Sequence, residues 1–442
     1  MIKLVCVSLA LLCIPSAWSQ VVPTAAGGEV LTEDSEQMVI PPPISVMPYP
    51  TEVGSEMKKN YWSGGMIFTA AYNDNVMPGF APVPISDFTY FIWPTITVQQ
   101  QTGRKTLAVT YAPGFEFYQK TSALNAINQN ADASFQYRLT RRATFNLRDI
   151  FQQNSNVFDQ PFVFSSGVSG SIQGPASFVI APYANQLMNT VAGELSYQFG
   201  LNGMIGGGGS YSLLNYPTLS QVPGLINSAT SGGMAFYSRR FSGASYAGTT
   251  YQYSRIVTSP TSSTTQTHLV SLFYTLYFHH NLTLSVSAGP QYYDFTQATL
   301  PTFRGWSPAI GGSLGWQKSH VNIAANFTHS VSAGGGLLGV YDSNDANGQA
   351  TWQIGPSWTL GLQGMYMIVK NATPLSQSSY AGGHTVMGDA SVGRRLGSYI
   401  TVLAGYDRLH QSYSGIPLVT SAPDSNREYI SISYQLTRPL GR

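Results

Sequence analysis

Hydrophobic and polar residues alternate with a period of two along most of this chain, in short runs bounded by turn residues. In residues 281–289, Leu282, Leu284, Val286 and Ala288 form one face, and Thr283, Ser285, Ser287 and Gly289 the other. In residues 191–199 the apolar set is Val191, Gly193, Leu195, Tyr197 and Phe199, opposite Ala192, Glu194, Ser196 and Gln198. Successive strand residues point to opposite sides of a sheet, so each run predicts a strand with one apolar and one polar face. Soluble sandwiches alternate as well, and a single strand decides nothing.

The repeat decides more. One unit recurs: an alternating strand, a turn of two to four residues, a second strand, then a longer polar loop. Residues 137–145, 277–284 and 392–400 are copies, and others turn near Arg104, Leu201, Arg240, Lys318 and Pro356. With turn centres at 104, 141, 201, 240, 279, 318, 356 and 395, the successive spacings are 37, 60, 39, 39, 39, 38 and 39 residues. A strand that crosses a bilayer needs roughly 9 to 11 residues, so one period holds two strands, a turn and a loop of about a dozen. The long spacing leaves an excess too small for another unit, which predicts one long loop at 154–190. Terminal strands at 63–72 and 428–436 bring the count to eighteen, with sixteen as the alternative.

The predicted fold is therefore all-β: a transmembrane antiparallel up-and-down β-barrel over residues 61–437. An even count puts both termini on the side of the short turns, which is periplasmic in bacterial barrels, and the longer loops outside. Composition agrees. Charged residues are 10% of the chain, against roughly 25% in soluble domains. No stretch after the N-terminus approaches the roughly 18 to 20 apolar residues of a membrane helix.

Residues 1–19 read as a secretory signal peptide: Met1-Ile2-Lys3, an apolar run from Leu4 to Ile14, then Ala17-Trp18-Ser19. The mature chain is expected to begin near Gln20, bound for the outer membrane of a Gram-negative-type bacterium. Both cysteines, Cys6 and Cys13, fall within this leader. Residues 20–60, with Pro41-Pro42-Pro43 and Pro48-Tyr49-Pro50, predict a proline-rich tail that is periplasmic or luminal. Residues 438–442 form a short C-terminal tail.

Aromatic residues fall close to the short turns: Tyr137, Tyr197, Tyr237, Tyr277, Trp316, Trp358 and Tyr399. Rings at one level around a barrel predict a girdle at the periplasmic interface. Basic pairs sit at the same level: Arg104-Lys105, Arg141-Arg142, Arg239-Arg240 and Arg394-Arg395, with His279-His280 in a fifth copy. They suit either anionic headgroups or a solvated turn. Asp132, Arg138, Arg148, Glu194, Asp389, Arg395, Asp407 and Arg427 fall on the polar faces. A basic charge on the lipid side near midplane would cost roughly 2 to 4 kcal/mol and an acidic one less, so these eight are candidates for the pore lining. There they would tune selectivity, or pair across strands and stabilise the wall.

No chemistry emerges from the remaining residues. Seven histidines are scattered, with no HExxH and no Gly-x-Ser-x-Gly elbow, and adjacent His279 and His280 would face opposite sides of a strand. Neither an enzyme, a cofactor nor a metal site is expected. The formal net charge of +2 gives no reason to expect nucleic acid.

With the leader, regular hairpins and Arg-Arg turns in view, the chain resembles the large porin-like outer-membrane barrels. More specifically it resembles the "putative β-barrel porin" proteins, some of which accompany exopolysaccharide export. The resemblance covers nearly the whole mature chain, carries no diagnostic motif, and implies a passive diffusion or export pore. One departure is the C-terminus, where the last strand is followed by Thr437 to Arg442 instead of ending on an aromatic residue. The tail is also too short to be the plug domain of a 22-stranded transporter.

Three functions follow as expectations: a channel for small polar solutes or ions, narrowed by the long loop; an exopolysaccharide-export component whose tail contacts periplasmic proteins; and an uptake channel for hydrophobic molecules, with the N-terminal segment plugging the lumen. The last is motivated by Val39, Ile40, Ile44, Val46 and Met47 in the tail. Expected partners are outer-membrane lipids, the barrel-assembly machinery and, under the export reading, periplasmic export proteins. A homotrimer is left open.

Overall fold

The computed structural model describes residues 38, 40–41, 43–45, 60–78, 83–155, 185–219, 224–260, 262–278, 281–297, 300–332, 336–372, 382–414 and 423–440. The expected leader, the interior of the long loop and the His279-His280 pair lie outside the described residues. The strands in chain order are β1 (Asn60–Asn73), β2 (Asp87–Gln101), β3 (Lys105–Tyr118), β4 (Ala126–Arg138), β5 (Ala143–Asn154) and β6 (Gln186–Phe199). Then come β7 (Gly203–Asn215), β8 (Asn227–Ser242), β9 (Ser245–Ser259), β10 (Ser263–Phe278), β11 (Leu282–Gln297) and β12 (Leu300–Lys318). The last six are β13 (Val321–Ser332), β14 (Tyr341–Ile354), β15 (Trp358–Asn371), β16 (Gly382–Leu396), β17 (Ile400–Tyr413) and β18 (Asp424–Pro439).

Each strand pairs antiparallel with its sequence neighbours, and β1 pairs with both β2 and β18, so the 18-stranded sheet closes on itself. Closure leaves no end strand with a bare row of backbone donors and acceptors, the condition for a sheet to survive in lipid. The period-two alternation sorts the side chains. Met66, Leu195, Leu272, Val286, Ile310, Leu362, Val392 and Ile430 are exposed around the outside, while their strand neighbours are covered on the inside. Eight short turns and both strand termini lie at one end, where Leu440 N–H donates to Asn60 O at 3.0 Å.

Several boundaries differ from the sequence reading. The turn expected at Arg240 falls at 243–244, because β8 runs on through Ser242. Residues 186–190, expected in the long loop, belong to β6. The outer connections after β9 and β11 span only residues 260–262 and 298–299, where loops of about a dozen were expected. Their residues are spent on longer strands instead, β12 reaching 19 residues.

That extra length ends at a seam. The β12–β13 ladder runs from Lys318/Val321 to Ile310/His329 and stops before Pro308. Proline has no N–H to offer the next strand. The backbone of Val331, at the corresponding place on β13, is satisfied by a side-chain amide: Val331 N–H donates to Gln291 Oε1 at 2.8 Å, and Gln291 Nε2 donates to Val331 O at 2.9 Å. Gln291 is buried, so the substitution of a side chain for a strand is complete on both polar groups.

Candidate functional site: the barrel lumen

Small hydroxyls line much of the inner wall and pair across strands. Thr69–Ser431, Thr190–Ser212, Thr250–Ser271 and Thr275–Ser285 meet at 2.6 to 2.8 Å. Parity places all eight sequence candidates on this inward set. Arg148 donates to Asp132 at 2.8 Å across β5 and β4. On the other side of the ring Arg427 pairs with Asp407 at 2.6 Å, and Tyr429 Oη donates to Asp389 Oδ2 at 2.8 Å. The Arg427 guanidinium also lies over the Phe91 and Tyr429 rings, 5.6 and 5.4 Å from their centroids. Glu194 is fully buried on β6, while Arg138 and Arg395 stand exposed near the short turns. The wall thus brings five of the candidates together in two cross-strand groups, buries Glu194 separately and leaves two at the rim. Inward Glu116 and Asp345 escaped the sequence reading, although their place in the alternation of β3 and β14 would have found them.

Of the aromatic candidates, Tyr137, Tyr197, Tyr237, Trp316 and Trp358 occupy outward positions. Tyr399 lies in a turn beside the exposed Tyr434, ring centroids 6.1 Å apart. Arg394 stacks over Trp358 at 5.1 Å. Tyr277 is the exception and corrects the girdle: it shares the inward parity of Phe273 and Thr275, and its ring meets Tyr246 edge-on at 5.7 Å. Distance from a turn fixes the level of a residue but not its face. Phe278, one position on, is the exposed ring.

Near the short turns the inner wall of β7 to β10 changes character. Met204, Met234, Phe236, Tyr246 and Phe273 form a buried apolar patch, with Tyr277 packed against it. The Phe236 ring lies across Gly206, where a Cβ would collide with it, so glycine there lets the ring lie against the wall. Met38 and Ile44 of the N-terminal segment are buried in this patch and Ile40 packs beside them. Met38 N–H donates to Gln198 Oε1 at 2.9 Å, and Ile44 N–H turns back to Pro41 O at 3.1 Å. These described residues of the proline-rich tail therefore lie against the inner wall. Burying Met38 and Ile44 is worth about 1.5–3 kcal/mol each.

The outer end is crossed by a bridge. Tyr216, Leu219 and Leu225, between β7 and β8, pack with Leu337 and with Tyr341, Met367, Val369 and Tyr413 of β14, β15 and β17, on the far side of the ring. Ile226 N–H donates to Gly336 O at 2.9 Å, tying the two outer loops together. Gly336 has φ 100°, a left-handed backbone that admits glycine, and Tyr216 sits against it. The expected narrowing loop, 154–190, has its interior outside the described residues; among those described, this shorter connection spans the mouth.

A closed ring of eighteen strands, apolar outside and largely polar inside, defines an outer-membrane β-barrel. No protein-family model matches the chain, and no curated protein does. Among solved structures it is similar to Pseudomonas aeruginosa OccK2 (OpdF), with TM-score 0.44 and 9% identity over 88% of this chain and 100% of that one. It is also similar to Pseudomonas aeruginosa OpdK with vanillate, with TM-score 0.41 and 10% identity over 85% of this chain and 99% of that one. A third is the ferric citrate transporter FecA in the unliganded form, with TM-score 0.41 and 12% identity over 84% of this chain and 64% of that one. At these values the likeness is one of architecture and says nothing of a solute.

Proposed function

We propose that this barrel is a channel for passive diffusion of small polar solutes or ions. The observation that carries the reading is a closed 18-stranded ring whose inner face is laid with hydroxyl, amide and charged side chains. Rings of sixteen to eighteen strands leave an aqueous bore, whereas about eight are filled by their own side chains. Asp132 and Asp389 would line that bore beside the covered Arg148, Glu194, Asp407 and Arg427, with Arg138 and Arg395 at its periplasmic rim. The outer bridge would set its narrowest polar path. The outward aromatic residues near the short turns would sit among the lipid headgroups. The export reading depends on a tail free to meet periplasmic proteins, and Met38, Ile40 and Ile44 of that tail pack against the wall.

Liposomes carrying the folded protein test this reading. Swelling in isotonic sugar should be fast for the smallest sugars and fall off as solute size grows. Absence of swelling with the smallest sugar, in vesicles shown to contain folded barrel, would contradict it.

A further inference from the structure

We propose that the N-terminal segment, through Met38, Ile40 and Ile44, is a resident plug of the periplasmic exit, seated in a cradle built into the inner wall, and that its release widens the channel. The proposal rests on the channel reading. Its basis is a mismatch between face and chemistry. Along much of this wall the inner positions carry serine and threonine, and the apolar patch of Ile67, Phe91, Trp93 and Ala112 on β1 to β3 is packed upon itself. Between β7 and β10, near the short turns, five inner positions are instead Met204, Met234, Phe236, Tyr246 and Phe273. What covers them is the chain itself: Met38 and Ile44 are buried there, and the Gln198 side chain captures the Met38 N–H.

Position on the ring gives the seat its consequence. Asn60 opens β1, and β10 stands on the opposite side of the ring of eighteen. The docked residues and the first strand therefore occupy facing walls of the same exit.

A cysteine pair tests this in the full chain. Both natural cysteines precede Gln20, so Met38→Cys with Gln198→Cys supplies the only pair in the expected mature protein. The disulfide should form in the folded barrel, and single channels should conduct less oxidised than reduced, by on the order of twofold as the exit widens. Deleting residues 38–45 should give the reduced level or more. Failure of the disulfide to form in folded barrel would overturn the plug. Equal conductance in the oxidised, reduced and deleted forms would overturn the gating alone. A membrane that stays sealed in all three would overturn the channel reading and the gating together.

Discussion

At the scale of single residues, parity governs what each side chain meets, because one step along a strand exchanges lipid for lumen. Arg427 illustrates the stakes. It pairs with Asp407 in a covered position, and removing one partner of a buried pair leaves the other charge without compensation. Arg427→Ala should destabilise the barrel by about 3–5 kcal/mol, read as a lower urea midpoint for unfolding from vesicles. Adding Asp407→Leu should recover part of the loss; no recovery would mean that the pair is not the source of the effect. Parity was also the most legible feature of the sequence, since Asp132, Arg148, Glu194 and Asp407 all follow from strict alternation around them. Tyr277 shows where that legibility ends: ranking it by nearness to a turn discarded the parity that places Phe278 outside and Tyr277 within.

Elements carry information that no single residue does. The ladder between β12 and β13 stops at Pro308, and Gln291 takes over the backbone of Val331. Gln291→Ala would leave a buried N–H and a buried C=O unsatisfied, at about 1–3 kcal/mol for each group. Faster amide exchange at Val331 should accompany the loss; unchanged protection there would show that another group closes the seam. The outer bridge makes a second prediction. Carboxylates in its apolar contact, as Leu225→Asp with Leu337→Asp, should part the two loops and raise conductance, while equal conductance would place the narrowest point elsewhere. Neither feature was legible in the sequence. A proline in an alternating run marks a boundary, but which side chain reaches across it depends on a register that only closure sets. Loop length pointed to 154–190, whereas the bridge arises from a shorter connection whose apolar residues meet partners far away along the chain.

On the scale of the whole molecule, the 39-residue period was the decisive signal, for it fixed eighteen strands, eight short turns and both termini at one end. It could do so because a bilayer of fixed thickness imposes a fixed strand length, and repetition then counts strands as a ruler would. What the period could not contain was the interior: the apolar cradle at one end and the bridge at the other are departures from a uniform polar wall, invisible to a pattern that only separates inside from outside. The account stands or falls on the bore between them. Single-channel recording of the full chain in a planar bilayer tests it most directly: discrete conductance steps that scale with salt concentration are the predicted result, and a membrane that stays sealed at high loads of folded protein would contradict it.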